Sequence, residues 1–112
     1  MLNIQDMGEG AYVIRIGIPE VHTLDVPDLK DHLQQAIIDK DITKLILDLS
    51  DVKVITSSGI GIFLNINKSL KSCFALASPS REVKKVLDLT KVSSVIKVFD
   101  TIDDAVTDLS SQ

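Results

Sequence analysis

The sequence predicts an α/β fold with one mostly parallel sheet, and three observations carry this prediction. Short apolar runs alternate along the chain with longer stretches whose apolar residues recur at helical spacing. The runs at residues 45–49 and 73–78 are apolar almost throughout, as expected of strands that are buried on both faces. A length of 112 residues suits one domain. Strands that alternate with helices imply crossover connections and helices packed against the sheet.

The first part of the chain predicts a hairpin followed by a helix. Residues 2–6 and 11–18 have strand composition and flank a turn that contains glycine. A polar connection follows up to Asp25. Asp25 with Pro27 behind it is a helix start signal, because proline tolerates the first turn and a carboxylate favours the positive end of the helix dipole. The helix is expected to fade at residues 39–41. Its predicted core-facing residues are Leu29, Leu33, Ala36 and Ile37.

The rest of the chain predicts three more strand–helix pairs, which gives the order ββαβαβαβα. The predicted elements are a strand at 45–49, a helix from about Ile60 to Ser72, a strand at 73–78, a helix opened by Pro79 and Ser80, a strand from Val95 to Phe99, and a last helix that starts at a capping-box-like Thr101 to Asp104. A serine just before the first of these helices is expected to be its N-cap. The first of these helices carries residues on neighbouring faces, Ile60, Phe63, Leu64, Asn67 and Leu70. The second is expected to turn four residues inward, Val83, Val86, Leu87 and Thr90. The last helix is indicated by Ile102, Ala105, Val106 and Leu109.

Composition limits the partners and the compartment. The formal net charge of −4 disfavours nucleic acid and anionic membrane surfaces, because both attract basic patches. We expect neither membrane insertion nor a signal peptide, since the sequence shows no apolar run of about 18 residues and no basic, apolar leader. Cys73 is the one cysteine and lies among apolar residues. It therefore predicts a buried thiol in a reducing compartment, the cytoplasm.

The chain offers little catalytic chemistry. His22 and His32 have no histidine or cysteine at ligand spacing, so we expect no metal and no cofactor. Ser58 lacks the flanking glycines of a nucleophile elbow, and we expect no enzymatic activity. Asp48, at the end of a buried strand, allows an alternative, a receiver-like phospho-acceptor. The early strand has no acidic pair to hold Mg²⁺, so a polar strand terminus is the favoured interpretation of Asp48.

A hydroxyl cluster, Thr56, Ser57 and Ser58, is the feature with most functional promise. Such residues usually serve as turn and cap residues. However, no charged residue occurs from Val54 to Asn67, and an uncharged rim suits the docking of a partner. Phosphorylation would add about −1.5 to −2 charges, which a helix N-terminus accommodates and an apolar or acidic partner does not. The cluster therefore predicts a switch that releases a partner without unfolding the domain.

These residues resemble a known family. The stretch Leu45–Ser50 followed by Val54–Gly61 is similar to the signature of the STAS domain, the domain of bacterial anti-sigma factor antagonists. The similarity continues in Phe74–Pro79, Val83–Thr90, Ile96–Phe99 and Thr101–Ala105, with Pro19–Leu29 where the family has its early loop and first helix. The resemblance implies one STAS-like domain over residues 1–112 and the function of a regulator of transcription.

The resemblance also implies a role for single residues. In the family, the serine before the glycine is phosphorylated by a partner that is both a serine kinase and an anti-sigma factor. This position is Ser58, with Ser57 as the alternative. The unphosphorylated protein would bind that partner and free the sigma factor, and a serine phosphatase would reset it. The residues with an implied part in partner binding are Glu20, His22, Thr56, Ser57, Gly59, Ile60 and Gly61.

Four positions depart from the family pattern. Thr56 stands where the family has an aspartate before the two serines, and His22 replaces another family aspartate. Pro19 and Lys91 replace family glycines. The loss of the acidic group at Thr56 leads to an alternative function, a constitutive STAS scaffold or adaptor subunit of a signalling complex or of lipid-transport machinery. Such a subunit would work without a switch at Ser58.

Overall fold

The computed structural model describes residues 2–71 and 73–110 and confirms the α/β fold. The strands are β1 (Leu2–Gly8), β2 (Ala11–Ile16), β3 (Glu20–Val21), β4 (Lys44–Asp48), β5 (Val54–Ile55), β6 (Phe74–Ala77) and β7 (Lys97–Phe99). The helices are α1 (Val26–Asp39), α2 (Ser57–Ser69), α3 (Arg81–Leu89) and α4 (Ile102–Ser110), with 3₁₀ turns at Thr23–Asp25 and Val92–Ser94. The predicted order ββαβαβαβα holds once the two-residue strands β3 and β5, which were not predicted, are set aside.

The main sheet has five strands in the order β1-β2-β4-β6-β7. β1 and β2 form the predicted antiparallel hairpin, and every other neighbouring pair is parallel. Gly8 and Gly10 make the hairpin turn at φ values of +89° and +80°, a region that costs glycine little. Because β4 and β6 are parallel, their carboxyl ends lie at the same edge of the sheet, and the chain enters α2 and α3 from that edge.

Three helices cover one face of the sheet, and one helix covers the other. On the first face, Leu33 of α1, Phe63 of α2 and Leu87 of α3 are fully buried in one core with the strand residues Ile14, Leu47 and Leu76. On the second face, Ala105 and Leu109 of α4 pack in a smaller cluster with Val13, Ile46, Ala75 and Ala77. The small side chains of β6 let α4 lie close to the sheet. Helix α2, whose N-terminal end carries Ser57 and Ser58, packs in the larger core.

Helix α2 differs from its prediction at both ends. It begins at Ser57 rather than near Ile60 and ends at Ser69, and Ser72 lies outside the described residues. The apolar spacing starts only at Ile60, so the polar first turn gave no periodic signal. Leu64, one of the residues that carry the apolar spacing, is 41% exposed. It follows the fully buried Phe63, and a step of one residue turns a helix by about 100°, away from the sheet.

The region after α3 is also corrected. The last strand is Lys97–Phe99 and does not include Val95, which is 60% exposed. The 3₁₀ turn Val92–Ser94, entered through Lys91 at a φ of 63°, engages the N–H groups of Val95 and Ile96, which donate to the Val92 carbonyl at 2.9 and 2.8 Å. Thr90 is exposed rather than core-facing, and its hydroxyl donates to a carbonyl one turn back, in Val86, at 2.8 Å.

Side-chain caps confirm two helix starts, and a third predicted start is confirmed without such a cap. The Ser80 hydroxyl accepts the N–H of Val83 at 3.2 Å, and the Thr101 hydroxyl accepts the N–H of Asp104 at 3.1 Å. Asp25 precedes α1 as predicted but makes no side-chain cap for it. Its carboxylate instead accepts the N–H of His22 at 3.0 Å and so closes the 3₁₀ turn.

Candidate partner-binding site

The N-terminal end of α2 is fixed by Thr56. This residue has extended backbone angles (φ −89°, ψ 164°), and its hydroxyl oxygen accepts the N–H of Gly59 at 3.4 Å. Its carbonyl accepts the N–H of Ile60 at 3.2 Å. The predicted serine N-cap is therefore wrong, and Ser57 and Ser58 are the first two helical residues. Threonine and aspartate both serve as N-caps, so Thr56 supplies the cap of α2 without a negative charge.

Ser57 and Ser58 are exposed in this first turn. Within residues 2–71 and 73–110, no side chain or carbonyl is hydrogen-bonded to either hydroxyl. The N–H groups of a helix's first turn have no acceptor inside the helix, and they leave partial positive charge at its start. The first turn of α2 contains no acidic residue. A phosphoryl group on either serine would consequently meet free N–H groups and no carboxylate of its own helix.

Two glycines of α2 have different surroundings. Gly59 is buried, and a Cβ at this position would lie 2.9 Å from Ile55 Cγ1 and 3.1 Å from Val21 Cγ1. The fold thus requires the absence of a side chain there. Gly61 is exposed, and a Cβ would meet no atom within 4 Å. Because glycine weakens a helix interior by about 0.5–1 kcal/mol relative to alanine, Gly61 costs stability without a packing reason.

The short strands β3 and β5 bring the early loop to α2. They pair in parallel, with Glu20 beside Val54 and Val21 beside Ile55. The pairing continues at one end in a hydrogen bond from the Thr56 N–H to the Val21 carbonyl at 3.1 Å. Sequence reasoning missed this pairing because two residues are too few to show the alternation of a strand. The predicted site residues of the early loop and of α2 therefore lie together.

Glu20 and His22 form an exposed pair beside the start of α2. The distance from His22 Nε2 to Glu20 Oε2 is 2.8 Å, and the two side chains are about half exposed, at 52% and 57%. The early loop also presents Leu24, which is 91% exposed at the tip of the 3₁₀ turn. Leu24 was not among the predicted site residues, and an isolated leucine in a polar loop gives no sequence signal for exposure.

The exposed surface around α2 differs in part from the predicted partner-binding set. Gly59 is buried and Ile60 is only 3% exposed, so these two residues position the helix and are not available to a partner. The predicted residues Ser57, Ser58 and Gly61 are open to solvent. Two apolar side chains outside the predicted set are exposed as well, Val54 at 44% and Leu64 at 41%. We call the exposed residues Val54, Ser57, Ser58, Gly61 and Leu64 the α2 surface.

Asp48 serves the turn that follows β4. Its carboxylate accepts the N–H of Ser50 at 2.9 Å, which agrees with a polar strand terminus. In the described parts of the chain, no three His, Cys, Asp or Glu side chains are grouped closely enough to hold a metal ion. None of the helices described is both long and apolar enough to cross a bilayer.

The fold and the site define a class: a small α/β domain that presents two serines at a capped helix N-terminus, beside the carboxyl edge of its parallel strands. Comparison with known families agrees with this description. Residues 9–105 match the model of the STAS domain, and the chain belongs to this family.

A related sequence and a solved structure from Thermotoga maritima are similar to the chain. The related sequence, named "putative anti-sigma factor antagonist", is 42% identical over 71 residues, which cover 61% of this chain and 63% of the relative. The matched segment is thus less than two thirds of that relative's length. A crystal structure of a Thermotoga maritima protein of the same description superposes with a TM-score of 0.86 at 28% identity, covering 97% of this chain and 94% of the other.

A more distant structure shows the same fold. The anti-sigma factor antagonist SpoIIAA in its unphosphorylated form has a TM-score of 0.79 at 20% identity, with 100% of this chain and 98% of that chain covered. At this identity the likeness concerns the fold alone. It confirms the predicted α/β architecture with a mostly parallel sheet.

Proposed function

We propose that this protein is a phosphorylation-switched, protein-binding regulator of the anti-sigma factor antagonist type. In its unphosphorylated form it binds an anti-sigma factor that is also a serine kinase, and phosphorylation of Ser58 ends the complex. A serine phosphatase restores the binding form. The protein works in the cytoplasm, without a cofactor and without enzymatic activity of its own.

The observation that carries this proposal is the exposure of Ser58 in the first turn of α2. Its hydroxyl is free of hydrogen bonds to the described residues, so a kinase reaches it without breaking the fold. The cap formed by Thr56 does not involve Ser58, and helix α2 therefore keeps its start after modification. The first-turn N–H groups offset part of the phosphate charge.

The apolar residues of the α2 surface explain how a phosphate on Ser58 would weaken the binding of a partner. Val54 and Leu64 offer apolar contact area, and Gly61 allows a partner's backbone to approach the helix closely. A partner that packs against apolar residues excludes water from the surface. A phosphate of about −1.5 to −2 charges at Ser58 would then be desolvated in the complex, which is costly. The domain stays folded while its affinity falls.

A pull-down from lysate of the source cells tests the proposal. The baits are the wild type, Ser58→Ala, Ser58→Asp and Ser57→Asp, with Ser69→Asp as a matched control at the exposed other end of α2. We expect a kinase-like protein to be retained by the wild type, Ser58→Ala and Ser69→Asp and to be lost with Ser58→Asp. Loss with Ser57→Asp instead would move the acceptor to Ser57.

The alternative function is a constitutive scaffold or adaptor subunit, and the uncharged Thr56 is the observation that favours it. If all five baits retain the same partners, the α2 surface binds without a switch. The first proposal would also fail if mass spectrometry of the protein from its source found no phosphate on Ser57 or Ser58 under any growth condition.

A further inference from the structure

Charge is distributed unevenly over the three helices that share the larger core. Residues 52–99 contain eight Lys and Arg but only two acidic residues, whereas residues 1–51 contain four Lys and Arg and ten Asp and Glu. α2 itself has a single charged residue, Lys68. α1 packs against α2 on one side, and α3 packs against β5, which directly precedes α2. A nearly neutral helix thus lies between an acidic and a basic part of the surface.

The basic part includes the outward side of α3. Val83 is fully buried, and helical geometry then places Arg81 and Lys85, four residues apart, on the opposite side. Both are exposed, and neither forms an ion pair with a residue that the structure describes. Lys84, in contrast, reaches Asp100 just after β7, with 3.3 Å between Nζ and Oδ1. Two positive side chains on the outer side of α3 are therefore uncompensated.

Lys53 extends this positive surface to the start of α2. It is exposed and directly precedes β5. Its N–H donates to the Pro19 carbonyl at 2.6 Å, which fixes its backbone beside the early loop. Because α3 packs against β5, Lys53 directly precedes a strand that α3 contacts. We call Lys53, Arg81 and Lys85 the basic strip.

We propose that the basic strip binds an acidic segment of the protein that docks on the α2 surface. The inference rests on the proposed function and adds the chemistry of the partner. Charge complementarity across an interface steers association and fixes the orientation of the partner. The acidic residues of α1, on the other side of α2, would repel a ligand whose negative charge extends over both sides, such as nucleic acid or an anionic membrane. A protein whose negative charge faces only the α3 side avoids this repulsion.

The basic strip also links partner binding to phosphorylation. A phosphoryl group on Ser58 adds about −1.5 to −2 charges to a domain whose basic strip forms no ion pair with a described residue. It therefore reduces the attraction for an acidic segment, in addition to the desolvation cost at the α2 surface. The effect of phosphorylation on association is expected to weaken in concentrated salt, because exposed charges are screened.

The test uses the kinase-like protein retained by the wild type and two designed probes. Association rates with that protein are measured against salt concentration for the wild type, Arg81→Glu, Lys85→Glu and the matched control Lys40→Glu at the exposed end of α1. In parallel, the ¹⁵N-labelled full chain is titrated with a short peptide of glutamates and with a short duplex DNA. Circular dichroism checks that every variant is folded.

We expect Arg81→Glu and Lys85→Glu to slow association roughly tenfold at low salt, and Lys40→Glu to leave it unchanged. Equal effects of Lys85→Glu and Lys40→Glu would overturn the inference and leave the switch intact. If the wild type retains no kinase-like protein, the proposed function fails. The titration with the peptide and the DNA then tests the basic strip by itself. Chemical-shift changes confined to the basic strip on addition of the glutamate peptide support an acidic ligand for this strip. Chemical-shift changes spread over all lysines, or tighter binding of DNA than of the peptide, overturn that inference.

Discussion

The two glycines of α2 provide the sharpest test of how the site is built. Each is replaced by alanine, so the same methyl group is added twice, two residues apart in one helix. At Gly59 the new Cβ would lie 2.9 Å from Ile55 Cγ1 and 3.1 Å from Val21 Cγ1, and both neighbours are buried, at 5% and 0% exposure. At Gly61 it would enter open space. The two substitutions are therefore expected to change stability in opposite directions.

The magnitudes follow from packing and helix propensity. Gly61→Ala should raise the free energy of unfolding by about 0.5–1 kcal/mol, because alanine loses less conformational entropy in a helix. Gly59→Ala should lower it by about 1–3 kcal/mol, the usual cost of an overpacked core. The higher helix propensity of alanine offsets part of this cost. The clash remains, because Cγ1 of Ile55 lies close to the backbone and cannot turn aside like the end of a long side chain. The two variants should differ by at least about 1 kcal/mol.

Urea unfolding followed by circular dichroism measures this difference. With a slope of about 1–3 kcal/mol per molar urea, the two midpoints should lie on opposite sides of the wild type and differ by several tenths of a molar. If Gly61→Ala is destabilised as much as Gly59→Ala, Gly61 has a structural role and the argument for a partner's close approach is refuted. If Gly61→Ala is stabilised but keeps full affinity for the partner, only that functional interpretation fails.

Three further predictions concern single side chains. Thr56→Ala removes the cap of α2 and lowers the free energy of urea unfolding by about 1 kcal/mol, whereas Thr56→Asp retains a cap and does not. Ser58→Asp places a carboxylate at the helix N-terminus and raises stability by about 0.3–1 kcal/mol at low salt; a gain that persists in concentrated salt would contradict this explanation. Burial and the Asp6 carboxylate raise the pKa of Tyr12 above its ordinary value of 10.0. The folded state favours the neutral phenol, so its stabilising contribution is complete below pH 10.0 and is lost as the pH rises through the folded-state pKa. Asp6→Asn should lower the pKa of Tyr12 in an ultraviolet titration.

Much of the fold could be predicted because its signals repeat along the sequence. The strands β4 and β6 are continuous apolar runs, and α1 shows its buried face through Leu29, Leu33 and Ala36. The start of α2 was predicted about one turn late because its first turn is polar, and a capped polar turn has no apolar period. The cap itself, from Thr56 to Gly59, depends on backbone angles that composition does not reveal.

The site could be predicted only in part, because tertiary contacts determine which residues surround it. The hydroxyl cluster was visible as a sequence feature, but the exposure of Val54 and Leu64 was not. The same apolar residue types occur in the core, and only the direction of each side chain separates the two groups. The contact of the early loop with α2 rests on the pairs of β3 and β5, which are too short to predict.

The residues at the start of α2 divide according to what the fold requires of them. Folding explains Gly59 by close packing, and Thr56 by its cap. Folding does not explain a glycine at 61, where a side chain would fit, or an exposed leucine at 64. Residues that lower stability or solubility and are not required by the fold are consistent with the partner-binding role proposed for the α2 surface. Ser58 lies on the same exposed side of the helix start. A change of its charge would therefore alter the binding of that partner and not the packing of the core.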